Sequence, residues 1–390
     1  MIDANIQMKT AATTIQHNDT LAKRTFWAAL AFYVLIAFEF FYMASPFAVY
    51  FYAVYRPGLE FLNSTPSLAW LSQIFLPHIV IETASPIVNA HNVVGSILAI
   101  SGFIAFCVGA AQVYYHKLTR KGAVTGGIYN IIRHPQYASF AVCSFGLLLL
   151  WPRYIVLAAF VTLMFAYYLL ARLEERECEQ KFGQPYLEYK ARTNMFLPFR
   201  IPGVERLPAM PESGLKRGLA MLALYFAALG LSLGVAAALN MLTVKNLYAT
   251  YTGNAAYISI SKITQPRLDQ IVRIATASPD VQARLNNFNA AAYLNYILPA
   301  EWHVSEIPMN PVDGYDGHHF PRNFNTDRFR VVFTSAGLRT TKPVSADHIL
   351  MQTEKRTPVV EAVVDLTQQR VVEIKDPHTT KYDDLPVPMY

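Results

Sequence analysis

Apolar runs of spanning length alternate with short polar segments over the first 243 positions of the chain. A run of about 20 residues crosses the roughly 30 Å of hydrocarbon in a bilayer, and residues 26–55, 92–115 and 215–242 each reach that length. Residues 137–171 are too many for one crossing, and Pro152 within them cannot donate a helical hydrogen bond. This stretch predicts a helical hairpin, so the pattern predicts about five transmembrane helices.

One further apolar segment, residues 67–81, is only about 15 residues long and contains Pro77 and His78. That length favours a re-entrant or interfacial segment over a crossing. With five crossings, the basic clusters at 23–24, 116–121 and 172–217 fall on one side of the membrane, which the positive-inside rule assigns to the cytoplasm.

The charges also separate two parts of the chain. Residues 1–243 contain 18 Lys and Arg against 12 Asp and Glu, whereas residues 244–390 contain 15 of each. The net charge of +6 therefore lies among the apolar segments, where it orients helices, and a nucleic-acid partner is not expected. Residues 1–22 lack a signal-peptide pattern and are expected to be a cytoplasmic tail. Residues 244–390 are expected outside the cytoplasm.

The C-terminal part has the patterns of a soluble domain. Residues 266–288 have helical periodicity interrupted near Pro279, whereas residues 329–334 and 359–375 have the alternation of strands, the latter as a hairpin. The predicted fold is thus an all-α membrane domain at residues 23–243 followed by a soluble α+β domain at residues 244–390.

Two polar segments border the predicted hairpin, at residues 126–137 and 172–199. A hairpin returns both ends to one membrane face, so these segments can line one pocket. Their imidazole, phenol, carboxylates and guanidinium suit a ligand with an ammonium group, ribose hydroxyls and a flat base. The alternatives are that residues 174–179 are a solvated helix extension and that His134-Pro135 only begins a helix.

Residues 125–200 resemble the isoprenylcysteine carboxyl methyltransferase and phospholipid methyltransferase superfamily of membrane enzymes. The Gly and Tyr followed by Arg-His-Pro-x-Tyr correspond to Gly127, Tyr129 and residues 133–137. The Glu-Glu pair eight residues before Phe-Gly corresponds to residues 174–175 and 182–183, and a Tyr-Leu-Glu-Tyr-Lys run follows.

The resemblance implies methyl transfer from S-adenosylmethionine, bound at the cytoplasmic face, to a lipid-like or membrane-soluble acceptor. It implies a catalytic or substrate-facing role for Arg192. The residues it implies for the cofactor are His134, Pro135, Tyr137, Glu174, Glu175 and Tyr186. Direct transfer from an activated sulfonium needs alignment of the reactants in a dry site and no metal or covalent enzyme intermediate.

Some features leave the acceptor open. Ser139 stands where the family often has Gly, and short family members lack the fifth span and the C-terminal domain. A carboxylate, an amine and a thiol acceptor all remain open. The rival hypothesis is a non-catalytic membrane subunit whose residues 244–390 bind a partner protein.

Two other groups of residues carry weaker signals. The cysteines, at positions 107, 143 and 178, lie in separate helical segments and predict no disulfide framework. In the C-terminal domain, His303 and residues 313–319 offer acidic and imidazole side chains, but glycines among them favour a turn-rich loop over a metal site.

Overall fold

The computed structural model describes residues 67–119, 124–199, 213–315 and 317–376, together with scattered single positions. The described residues fall into two compact units. One contains those of Asn92–Val235, and the other combines those of Tyr42–His91 and Ala236–Tyr390. Most of the predicted helix at 26–55 lies outside the described residues.

The first described helices lead from the second unit into the first. Helix α1 spans Pro86–Asn89, and its N-terminus is capped by Ser85, whose hydroxyl accepts a hydrogen bond from the backbone N–H of Val88 over 3.4 Å. Helix α2 follows at His91–Leu118. It contains the apolar run predicted at 92–115, and many of its aliphatic side chains are exposed, as expected for a surface that faces lipid.

The predicted hairpin is confirmed. Helix α3 spans Pro135–Leu150 and helix α4 spans Tyr154–Phe182. The backbone N–H of Trp151 closes the last turn of α3 on Leu147, and Pro152 then prevents the helix from continuing. Helix α3 has 16 residues and is therefore about 24 Å long, shorter than the hydrocarbon layer.

Two helices complete the described part of this half of the chain. Gly183, with a φ of +60°, separates α4 from helix α5 at Gln184–Arg192. Helix α6 spans Gly214–Lys245. Among the described residues, three helical segments are long and apolar enough to cross a membrane, at Pro86–Val113, Tyr154–Phe182 and Gly214–Lys245, while Pro135–Leu150 is a shorter apolar helix.

Glycines allow α2 and α3 to cross at very short distance. A Cβ on Gly95 would lie 2.9 Å from the carbonyl oxygen of Gly146, and one on Gly102 would lie 2.7 Å from that of Ser139. Small residues permit such backbone contact in lipid. Gly230 and Gly234 of α6 make no such contact, since no described residue lies within 4 Å of a Cβ built on either.

The C-terminal unit is built on one six-stranded sheet with the order β1-β2-β3-β4-β5-β6. In chain order its elements are β1 (Tyr248–Thr252), β2 (Ala255–Ser259), α7 (Gln265–Ala277), α8 (Pro279–Phe288), β3 (Tyr293–Pro299), β4 (Arg328–Leu338), α9 (Ile349–Gln352), β5 (Thr353–Asp365) and β6 (Arg370–Lys375). Strands β2 and β3 are parallel, and the other pairs are antiparallel. The predicted helix break at Pro279 and the predicted strands are confirmed.

Each face of this sheet has its own apolar core. One face packs against α7 and α8 through residues such as Leu268, Ile271 and Val281. The other is covered partly by Ile79 and Val80, whose segment was predicted to be re-entrant or interfacial. Residues 67–81 contain only a short 3-10 helix, at Ala69–Ser72, and Ile79 and Val80 at their end contribute to the core of the C-terminal unit.

Candidate active site

The two polar segments that border the α3–α4 hairpin are joined through their backbones. Ile132 forms a parallel bridge with Asn194. The backbone N–H of Arg133 donates to the carbonyl of Asn194 over 2.8 Å, and that of His134 donates to Met195 over 3.0 Å. These bonds fix the start of α3 against the chain that follows α5, as the return of a hairpin to one face predicts.

Glu175, on the polar end of α4, is the centre of a buried ionic cluster. Only 1% of its side chain is exposed, and its Oε1 lies 2.6 Å from Nε of Arg133. Nζ of Lys190 lies 3.0 Å from Oε2 of Glu175 and 2.5 Å from Oε1 of Glu179. Arg133 also donates to the carbonyls of Lys190 and Thr193. The cluster therefore ties α4 and α5 to the segment before α3.

Glu174 points elsewhere, although it is adjacent in sequence. Its Oε1 accepts a hydrogen bond from the hydroxyl of Tyr137, and its Oε2 lies 3.5 Å from Nδ1 of His134. The rings of His134 and Tyr137 are stacked with centroids 5.5 Å apart, and Tyr137 stacks in turn on Tyr167 at 4.7 Å. With 44% of its side chain exposed, Glu174 is the member of the pair that reaches solvent.

Both glutamates act on His134. Burial alone would lower the pKa of the His134 imidazole, but hydrogen bonds to Glu174 and Glu175, together with their negative charges, outweigh burial and raise that pKa above its usual value. The imidazolium form is thereby stabilised between two carboxylates.

A polar cavity of about 320 Å³ opens beside these groups, within the range of about 300–1,000 Å³ typical of small-molecule sites. Its described lining residues are Val113, Val124, Tyr129, Arg133, His134, Gln136, Tyr137, Glu174, Glu177, Cys178, Phe182, Tyr186 and Tyr189. Carboxylates and aromatic rings occur together in this wall, so it offers partners for a cation, for a diol and for a flat base.

A second, apolar cavity of about 670 Å³ is formed between α2, α3, α4 and the chain after α5. Its described lining residues are Ser101, Gly102, Ala105, Ile132, Tyr137, Ala138, Ser139, Ala141, Val142, Met164, Tyr167, Phe196, Leu197 and Pro198. Tyr137 lines both cavities, so its side chain forms part of the wall between them.

The structure brings together four of the residues assigned by resemblance, because His134, Tyr137, Glu174 and Tyr186 all line the polar cavity. The other three are not among the described lining residues of either cavity. Pro135 occupies the first position of α3, and Glu175 lies inside the ionic cluster. Arg192 is exposed at the end of α5, with its guanidinium carbon 5.7 Å from the centroid of Tyr189.

Four further residues contribute to the site without a role predicted from the sequence. Arg133 and Lys190 hold Glu175, and Glu177 and Tyr129 line the polar cavity. A signal existed for Arg133, since it directly precedes His134 in the motif. Lys190 carries no comparable signal, because its role depends on how α5 packs on α4.

The histidine-containing loop of the C-terminal unit has structural contacts. Nδ1 of His303 lies 2.7 Å from the carbonyl oxygen of Gly317, and Nε2 of His318 lies 3.2 Å from the buried Glu306. Among the described residues, which exclude Asp316, no group of three or more His, Cys, Asp or Glu side chains is arranged to hold a metal ion. The cysteines at 107, 143 and 178 are all free thiols.

Apolar helices of spanning length define an integral membrane protein, and a polar cavity of small-molecule size lies among the described residues. Residues 89–185 match a family model described as phospholipid methyltransferase. This segment of the chain is thus similar to the superfamily that contains the isoprenylcysteine and phospholipid methyltransferases.

Two curated proteins are similar to parts of the chain. Protein-S-isoprenylcysteine O-methyltransferase B of Arabidopsis thaliana is 34% identical over 87 residues, which are 22% of this chain and 41% of that protein. Methanethiol S-methyltransferase 1 of Bradyrhizobium diazoefficiens is 34% identical over 73 residues, or 19% of this chain and 25% of that protein. The chain thus spans less than half the length of these relatives. No solved structure matches it.

Proposed function

We propose that the protein transfers a methyl group from S-adenosylmethionine to a lipid-like or membrane-soluble acceptor. The observation that carries this proposal is the pair of cavities that share Tyr137, one polar and one apolar. Methyl transfer needs a charged, water-soluble donor and its acceptor to meet in line. A polar site and an apolar site with a common wall meet that need.

The residues of the polar cavity fit the donor by their chemistry. The partly exposed carboxylate of Glu174, with Glu177 nearby in the wall, suits the positive charges and ribose hydroxyls of the donor. Tyr186 and Tyr129 offer rings beside which an adenine can lie. When bound, the donor supplies an activated methyl group on a sulfonium.

The buried cluster around Glu175 has a positioning role in this proposal. Arg133 and Lys190 neutralise the carboxylate and anchor α5 and the following chain against α4. His134 is oriented by its two glutamate partners and stacks on Tyr137. These contacts preorganise the wall that faces the donor, which limits the reorganisation needed at the moment of transfer.

The names of the relatives give two acceptor types, an isoprenylcysteine and methanethiol. For this chain, the apolar cavity has room for an apolar acceptor whose reactive group is a carboxylate, an amine or a thiol. We also propose that the cofactor site faces the cytoplasm, on the basis of the basic clusters. The substrate-facing role of Arg192 and a partner protein for residues 244–390 stay predictions.

Titration calorimetry of the full chain in detergent tests the proposal. Saturable binding of S-adenosylmethionine and of its demethylated product is expected. Glu174→Gln should weaken binding of the donor, whereas Glu188→Gln, an exposed carboxylate on α5 outside the described lining of the cavity, should not. No saturable heat with either ligand would contradict the proposed function.

A further inference from the structure

The apolar cavity contains no charged side chain among its described lining residues. Its polar side-chain groups are four hydroxyls, from Ser101, Ser139, Tyr137 and Tyr167. An ionised carboxylate or ammonium placed there would lose its hydration without gaining a counter-ion from the described lining, which is strongly unfavourable. The lining therefore favours an acceptor that is uncharged and largely apolar.

Tyr137 connects this cavity to solvent through a hydrogen bond. Its hydroxyl donates to Oε1 of Glu174, and Glu174 lines the polar cavity with 44% of its side chain exposed. A neutral thiol or alcohol must lose a proton when it is methylated to a neutral product. The bond from Tyr137 to Glu174 leads from the wall of the apolar cavity to a carboxylate that exchanges protons with water.

We propose that the acceptor is a neutral, apolar thiol and that Tyr137 and Glu174 together remove its proton during methyl transfer. The inference rests on the proposed function and narrows its acceptor. The acceptor sulfur forms a bond to the methyl group, and the electron pair of the broken S–CH3 bond stays on the donor sulfur. The thiol proton passes to the phenolic oxygen of Tyr137, whose own proton passes to Oε1 of Glu174. A neutral thioether remains, and the Glu174 carboxyl releases the proton to solvent.

The chemistry of the alternatives favours the thiol. A thiol has an ordinary pKa of about 8.5, whereas the O–H group of water has a pKa of about 15.7. Tyr137 and Glu174 can therefore remove the proton of a thiol far more easily than that of a hydroxyl acceptor. An alkyl amine with a pKa near 10.4 is cationic at neutral pH, and a carboxylate is anionic. The described lining supplies neither of them with a counter-ion, so a carboxylate would depend on the sulfonium of the donor alone. Arg192, the cation assigned by resemblance, is not among the described lining residues.

Acceptor binding gives a test that does not depend on turnover. The full chain in nanodiscs, saturated with S-adenosylhomocysteine, is titrated with 1-dodecanethiol and with dodecanoate, and empty nanodiscs serve as the blank. The thiol should bind at least tenfold more tightly than the carboxylate. Ala105→Phe, which fills the cavity from α2, should weaken thiol binding at least tenfold. Ile104→Phe, at an exposed neighbouring position outside the described lining, should leave it within twofold.

Transfer of labelled methyl to 1-dodecanethiol tests the proton path. At saturating donor and pH 7, Tyr137→Phe and Glu174→Gln should each lower turnover about 100-fold, as expected for loss of a general base. Activity should recover as the pH approaches the pKa of the thiol, because the thiolate then forms without help.

Preference for dodecanoate in binding, or turnover of Tyr137→Phe within threefold of the unmodified chain, would overturn the thiol inference and leave the proposed function intact. Absence of S-adenosylhomocysteine binding to the unmodified chain would overturn the proposed function itself, and the inference would fall with it.

Discussion

Nε of Arg133 lies 2.6 Å from Oε1 of Glu175, and this ion pair joins the segment before α3 to the polar end of α4. The Arg133 side chain is 10% exposed and that of Glu175 is 1% exposed. Removal of one partner from such a pair leaves the other charge buried without compensation. The neighbouring Glu174 has no such role, because its partners are Tyr137 and His134 at the edge of the polar cavity.

The two adjacent glutamates should therefore respond differently to substitution. Glu175→Ala should destabilise the membrane unit by about 3–5 kcal/mol, the usual cost of breaking a buried ion pair. Glu174→Ala should leave stability nearly unchanged and weaken donor binding by about 1–3 kcal/mol. Thermal unfolding in detergent and calorimetry measure the two effects. Equal loss of stability in both variants would contradict this division.

The sequence located the two polar segments of the site, but the resemblance assigned the cofactor to Glu175 ahead of Glu174, whereas Glu174 is the one that lines the polar cavity. A helical hairpin must return its ends to one face, so the juxtaposition of residues 126–137 and 172–199 followed from hydrophobicity and Pro152. Successive helical residues point about 100° apart. Which glutamate faces the cavity therefore depends on the rotation of α4 in the bundle, and that rotation is set by packing that a single sequence does not reveal.

The fold was predicted best where local signals are strong. Pro279 marks the break between α7 and α8, and alternation identified β5 and β6. Strand β3 was not predicted, because all seven of its residues are buried and its sequence therefore lacks the alternation of apolar and polar residues that marks a half-exposed strand. Residues 67–81 were assigned to the membrane region because an apolar segment does not specify whether lipid or a sheet will cover it.

The glycine crossing of α2 and α3 supports a prediction about packing. Gly102→Ala places a methyl group against backbone atoms of α3. A flexible side chain could rotate away from the added methyl group, but these backbone atoms cannot. The variant should lose about 1–3 kcal/mol of stability, as overpacked sites do. Gly234→Ala adds the same atom where no described residue lies within 4 Å and should not destabilise the protein. Thermal unfolding of the two variants in one detergent makes the comparison, and similar melting temperatures would contradict the close crossing.

Donor binding should depend on pH through His134. Because the pKa of His134 is raised, the imidazolium persists above the pH at which a free histidine loses its proton. Its charge beside Glu174 opposes binding of a cationic donor. Affinity for the sulfonium donor should therefore rise as pH increases through this pKa, while affinity for the neutral demethylated product changes less.

His134→Asn should abolish the difference in pH dependence between binding of the donor and binding of the product. A matched control is His318→Asn, since a hydrogen bond to Glu306 likewise raises the pKa of His318, but in the C-terminal unit. The control should keep the pH dependence of the unmodified chain. Calorimetry between pH 6 and 9 provides the measurement, and a pH dependence that survives in His134→Asn would assign it to another group.

The orientation of the chain is tested by labelling from each side of the membrane. In a cysteine-free background, a cysteine at the exposed Gln180 should react with an impermeant reagent only from the cytoplasm. One at the exposed Asn286 should react only from the opposite side. Both should react after permeabilisation. Cytoplasmic labelling at Asn286 would overturn the predicted five-helix topology.

The most direct test of the account is a structure, determined by electron cryomicroscopy in nanodiscs, of the full chain with saturating S-adenosylhomocysteine. We expect ligand density in the cavity lined by His134, Tyr137, Glu174 and Tyr186, with the ligand sulfur directed toward the apolar cavity beyond Tyr137. A map in which this cavity is empty at saturating ligand, or in which the ligand lies elsewhere on the protein, would contradict it.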